Sequence, residues 1–157
     1  MIPGHRINVV FMVARVNNFV DITEVLKSQS TEFLNKVAAV LHSCANKWNG
    51  WANRNDCDKF LITWNLPEAE SSNDNEKNEA IQEQSTETAD KSLIAAVKIV
   101  SEMKRAAQFA PFFRKAGLYN KYGNSGRPHI TFGLHLGWTI EGAIGSESKI
   151  DACYLSP

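Results

Sequence analysis

The 157-residue chain alternates between stretches of period two and stretches of period three to four. Residues 7–13, from Ile7 through Val9, Val10 and Phe11 to Val13, are β-branched and apolar. The run is too short for a buried helix and predicts a central strand. A short helix is expected from Thr23. A longer one, capped by Thr31, follows, with Phe33, Val37, Val40, Leu41, Cys44 and Trp48 recurring at steps of three and four. Asn49-Gly50, which tolerates a left-handed turn, ends it. Residues 60–64 read as a strand preceded by another near Trp51. Asp90 or Ser92 is expected to cap a helix with Leu93, Val97, Val100 and Met103 on one face. Residues 119–127 carry glycine, Asn and Lys and read as a loop. The end reads as a strand over 129–136, a turn at Gly137-Trp138, and a strand over 139–145.

The order is therefore β-α-α-β-β-α-β-β in a single domain spanning residues 1–157. Helices packed on one face of a mainly antiparallel sheet give an α+β fold, a ferredoxin-like α/β sandwich. Residues 67–89 interrupt it. Between Glu68 and Asp90 eight acids face one base, Lys77, a local charge of −7 that leaves +7 for the rest of a chain of zero net charge. With no aromatic and only Ile81 as a large aliphatic, this segment reads as a flexible acidic insert.

Composition narrows the class. Apolar residues make up 43% and charged residues 22%, an ordinary globular balance. The longest apolar run, residues 9–14, is far below the roughly 20 residues that span a bilayer. No export signal is seen at the first residues, so a cytoplasmic or other intracellular setting is expected. The three cysteines, Cys44, Cys57 and Cys153, have no metal-ribbon spacing and are odd in number.

Some residues carry candidate chemistry on their own. Asp56 and Asp58 flank Cys57 at the mouth of a strand. Two residues apart, they are expected on one face, where carboxylates suit a divalent cation, an acid/base pair or simply solvent. His129 and His135 share a face but lack a third ligand and read as packing residues. Nucleoside-triphosphate loops, serine-hydrolase elbows and zinc-protease motifs are absent. The basic body and four tryptophans raise nucleic-acid binding. The strand around Phe132, however, has no adjacent Arg or Lys, which makes that partner unlikely on sequence grounds.

The run Phe132-Gly133-Leu134-His135-Leu136-Gly137-Trp138-Thr139-Ile140-Glu141-Gly142-Ala143-Ile144-Gly145-Ser146-Glu147 resembles the class III nucleotidyl cyclase homology domain, whose members make cyclic AMP or cyclic GMP. Residues 11–21 resemble that family's first strand and loop. Residues 52–64 resemble its metal-binding hairpin, and residues 150–157 resemble its purine-reading region. The resemblance covers nearly the whole chain outside the acidic segment.

It implies two metal ions held by two aspartates, a pair of side chains reading the purine, and a composite site between two such domains. Anchored on Phe19, it places Arg15 at the first metal position and Asp58 at the second. A guanidinium cannot ligate a cation, so the metal position at Asp58 is expected to be vacant, with Arg15 paired to Asp58 in the cation's place. The purine-reading positions fall on Arg54 and Cys153, a combination typical of neither adenylyl nor guanylyl cyclases. The family's catalytic Asn and Arg, its last helix and its last strands are expected beyond Pro157, so no catalytic residue is assigned.

The resemblance thus implies a catalytically inactive domain acting as a structural or interaction subunit, with a protein partner, another cyclase-like domain among the candidates, covering an incomplete edge. Two alternatives stay open. One is a metal-independent nucleotide-binding module using Arg15, Arg54 and Cys153. The other is a cyclase half completed by a partner. Mg²⁺ or Mn²⁺ with ATP or GTP is expected only if the site works.

Overall fold

The computed structural model describes residues 3–67, 75–123 and 126–156. Its elements run β1 (His5–Val16), α1 (Phe19–Leu26), α2 (Ser30–Lys47), β2 (Trp51–Asp56), β3 (Lys59–Asn65), α3 (Asn75–Arg105), α4 (Ala110–Phe113), α5 (Ala116–Tyr122), β4 (Ile130–Ser146) and β5 (Lys149–Leu155). The strands form one antiparallel sheet in the order β2-β3-β1-β4-β5. The apolar run read as a central strand is the middle strand, buried between β3 and β4.

Alternation along β1 divides its side chains between two faces. Val10, Met12, Ala14 and Val16 join Phe60, Ile62 and Trp64 of β3 against the helices. Phe33, Val37 and Leu41 of α2 and Ala95, Ile99 and Met103 of α3 close this core from the other side. Phe33, fully buried, meets Phe109, Phe112 and Phe113 edge-on at 5.7, 5.5 and 6.2 Å between ring centroids. The α2 exit turns through Asn49 (φ 61°) as the sequence suggests. Gly50 has a further reason: a Cβ there would lie 2.5 Å from the Trp64 ring, whose Nε1 donates to the Trp48 carbonyl at 2.8 Å.

Several sequence expectations change, the start of α1 among them, which comes at Phe19 and not at Thr23. Gly137-Trp138 is no turn, because β4 runs unbroken from Ile130 to Ser146. Its twelve register pairs with β1, Val9 with Gly137 and Asn8 with Trp138 among them, override the local glycine signal. The turn comes after Ser146 and leads into β5, so the last two strands are placed differently, and α4 and α5 add two helices before them to the expected order.

Residues 119–127 are not all loop. Tyr119 and Tyr122 lie in α5, and α4 precedes it, both anchored by the buried Phe109, Phe112, Phe113 and Leu118. The helix expected from Asp90 or Ser92 begins at Asn75, so residues 75–89 of the acidic segment are helical, while residues 68–74 lie outside the described residues. Glu, Gln, Lys and Ala are strong helix formers. The Glu87–Lys91 pair at 2.8 Å and hydroxyl bonds from Ser85, Thr86 and Thr88 to the preceding turn accompany the extension. Finally, α2 starts at Ser30 after an uncapped Gln29, one residue before the expected Thr31 cap.

The helices do not cover the whole sheet. On the helix-bearing side of β4, Leu136 is 56% exposed, and Leu134, Trp138 and Ile140 are exposed as well. On α3 the stripe expected from the sequence is not the buried one: Leu93, Val97 and Val100 are exposed, and of the four only Met103 is buried, beside Ala95 and Ile99. Among the described residues, no helix is long and apolar enough to cross a membrane.

Candidate functional site

The end of β1 and the β2–β3 hairpin meet at one corner. The Val16 N–H donates to the Asp58 carbonyl at 2.8 Å, tying the hairpin turn to the strand end. On the other flank the Asn17 N–H donates to the His129 carbonyl at 2.8 Å, and the Thr131 hydroxyl donates to Asn17 Oδ1 at 2.8 Å. Arg15, in register with Lys59 and Thr131, projects from the sheet face opposite the core.

Its Nε donates to Asp58 Oδ2 at 2.8 Å. The two residues that the sequence aligns with a pair of metal-binding aspartates are therefore an ion pair, as expected. Asp58 is largely buried, at 14% side-chain exposure, while Arg15 remains 64% exposed. The strand alternation expected to aim Asp56 and Asp58 alike stops at Asp56. Cys57 takes a left-handed φ of 51° and puts Asp58 in the turn.

Beside the pair lies a cleft of about 430 Å³ lined by Arg15, Asn18, Phe19, Val20, Asp21 and Asp58, at the start of α1. Asp21 is held by Lys121 Nζ at 2.5 Å and the Tyr122 hydroxyl at 2.7 Å, both from α5. These two bonds, Lys121 first, hold the Asp21 carboxyl below its usual range. Burial, followed by the bond to Asp21, pushes Tyr122 up to about 12.

The residues present do not fit a two-metal centre. Arg15 offers donors only, and Asp58 already spends an oxygen on it. Among the described residues no cluster of three or more His, Cys, Asp or Glu is placed to hold an ion. Chemically, the corner can neutralise an anion with the exposed part of a guanidinium.

Arg54 and Cys153 are further away along the sheet. Arg54 follows a bulge in β2, is paired with Leu61, and is exposed. Cys153, half-buried, pairs with Gly142. Their register puts Arg54 on the face away from the helices and Cys153 on the helix-bearing face. The contact that joins these strands is made by their neighbours, Asn53 and Tyr154, 3.0 Å apart. Sequence reading missed Tyr154, although Ile150, Ala152 and Tyr154 alternate visibly along β5.

No protein-family model matches the chain, and no curated protein matches it. Solved structures do. A bacterial light-regulated adenylyl cyclase superposes with a TM-score of 0.71 at 16% identity, over 100% of this chain and 38% of that one. The guanylyl cyclase Cya2 gives 0.71 at 15% identity, over 99% of this chain and 66% of that one. The guanylate cyclase domain of RhGC from Catenaria anguillulae, in complex with GTP, gives 0.67 at 17% identity, over 97% and 68%. The fold is that of a class III nucleotidyl cyclase homology domain. This cyclase-like chain spans little more than a third of the first of these proteins and about two thirds of the other two. At such identities the likeness establishes the fold, and the chemistry has to be argued from the residues.

Proposed function

We propose that this cyclase-like domain is catalytically silent and works as a structural or interaction subunit of a larger assembly. One observation carries the reading: Arg15 stands 2.8 Å from Asp58, where cyclase chemistry needs two carboxylates sharing metal ions. Without paired metals, the ribose hydroxyl is not activated and the charge on the triphosphate is not neutralised for in-line displacement. The uncovered apolar residues on the helix-bearing side of β4 and on α3 support an interaction role, since patches of this kind mark protein contacts. The partner that this reading favours is another protein domain. One of the similar structures is described as a dimeric guanylyl cyclase domain, which makes a second cyclase-like domain a natural candidate.

A second reading is favoured by the cleft beside Arg15. Its volume of about 430 Å³ and exposed guanidinium suit a phosphate group held without metal, which would make the domain a nucleotide-binding regulatory module centred on Arg15; Arg54 and Cys153, expected in the same degenerate site, lie on opposite faces of the sheet and outside the cleft. Incubation with ATP or GTP and Mg²⁺ or Mn²⁺ tests the first reading: no cyclic nucleotide is expected, and product that Asp58→Ala abolishes would refute it. Thermal denaturation with each nucleotide and EDTA tests the second. Saturation at 100 times the dissociation constant would add about 2.7 kcal/mol of stability, and no shift would exclude a nucleotide role.

A further inference from the structure

A second concavity, about 260 Å³, opens on the sheet face away from the helices and is lined by Trp51, Asn53, Thr63, Asn65, Glu141 and Tyr154. It has a floor and a wall. Thr63 is buried in the sheet, the Tyr154 ring packs edge-on against Phe11 at 5.5 Å, and Trp51 stands 70% exposed at the rim. Glu141 supplies the only formal charge among the lining residues.

Its hydrogen bonds leave the Glu141 carboxylate only partly satisfied. The Tyr154 hydroxyl lies 3.0 Å from both Asn53 Oδ1 and Glu141 Oε1, and a single phenolic proton can serve only one of them. Asn53 Nδ2 is committed to the Thr63 hydroxyl and the Trp51 carbonyl. Glu141 Oε2 has His5 Nε2 at 3.9 Å, beyond hydrogen-bond distance. Burial, then the bond to Glu141, raises the Tyr154 pKa against the opposing effect of Thr63 and Asn53, so the phenol stays protonated. Beside the donors of Thr63, Asn65 and the Trp51 indole, the pocket therefore offers a carboxylate with an open oxygen, its one negative charge, and an exposed aromatic face.

We infer that this pocket receives an arginine side chain from a protein partner. A guanidinium has five N–H donors and no acceptor, matches a carboxylate in its own plane, and stacks on an indole. Charge complementarity to Glu141 selects a cation, and the planar stacking surface of Trp51 selects arginine over lysine. The inference does not depend on whether the domain turns over nucleotide, and it adds a specific contact to the interaction role.

The test titrates the 157-residue protein with Nα-acetyl-arginine amide and with its citrulline counterpart, which has the same shape without the charge. Tryptophan emission is the readout, and Trp51→Phe assigns the signal. The arginine compound is expected to bind saturably, at least tenfold more tightly than the citrulline compound. Glu141→Gln should weaken it about tenfold by the same emission, and Trp51→Ala, read by titration calorimetry because the reporter is gone, should abolish it, with unfolding temperature confirming that both variants fold. Absence of a saturable response, equal binding of the two compounds, or unchanged affinity in Glu141→Gln would overturn the inference. A concentration-dependent dimer dissolved by Arg54→Ala would assign the pocket to a second copy and overturn the partner. Silence in the cyclase assay bears on neither outcome.

Discussion

Replacing Arg15 and Asp58, singly and together, measures how strongly the guanidinium is held against the carboxylate. The magnitude follows from the exposures. A fully buried pair would cost roughly 3–5 kcal/mol when one partner is removed, whereas a surface pair is worth about 0.2–1 kcal/mol. Asp58 is 14% exposed but Arg15 is 64% exposed, so water screens one end of the contact. The bidentate geometry that would strengthen it is also lacking, since the contact runs through Nε at 2.8 Å. A coupling of about 1 kcal/mol, near the top of the surface range, is therefore expected. Urea unfolding of the native protein, Arg15→Ala, Asp58→Ala and the double variant gives that number directly. In 1 M salt, where the Debye length is about 3 Å, the coupling should shrink. Additivity within about 0.3 kcal/mol would show that the two side chains do not interact, and the reasoning would fail. A coupling of about 3 kcal/mol or more would contradict the solvent-screened geometry.

Other outcomes follow from single features. Cys57 holds a left-handed φ of 51°, so Cys57→Gly should stabilise the protein by about 0.5–1 kcal/mol in the same urea assay. Phe33→Ala should cost roughly 3–5 kcal/mol, read as a lowered unfolding midpoint, because three phenylalanine rings close on a fully buried side chain. The Asp21 pKa is depressed below its ordinary 3.8, so its contribution is present above that value and lost as pH falls through the folded pKa. Acid unfolding of Asp21→Asn should accordingly show a weaker pH dependence below pH 3.8. Tyr122 shifts the other way: its contribution is complete below pH 10 and lost between 10 and about 12. A tyrosinate titration should show a component ionising near the upper value, and Tyr122→Phe should remove that component.

The central strand, the α2 stripe and the turn at Asn49-Gly50 were legible because burial and period coincide in each of them. The Arg15–Asp58 contact was legible only through resemblance, since the residues lie 43 positions apart and their pairing depends on the hairpin folding back on β1. Local signals misled where long-range pairing decides. Gly137 looks like a turn until twelve register pairs hold β4 straight. The helix over residues 75–89 went unread because its helix-forming side chains bury little and show no apolar stripe. Asn53, Glu141 and Tyr154 are distant in sequence and become a pocket only when β2 and β5 approach across the sheet.

The claim that Arg15 replaces a metal is tested most directly by Mn²⁺ binding, followed by electron paramagnetic resonance, in the native protein and in Arg15→Asp. The account predicts no specific Mn²⁺ binding by the native protein. In the variant, with a carboxylate restored opposite Asp58, Mn²⁺ affinity should rise at least tenfold and disappear again in Arg15→Asp with Asp58→Asn. Tight Mn²⁺ binding by the native protein that depends on Asp58 would contradict the account.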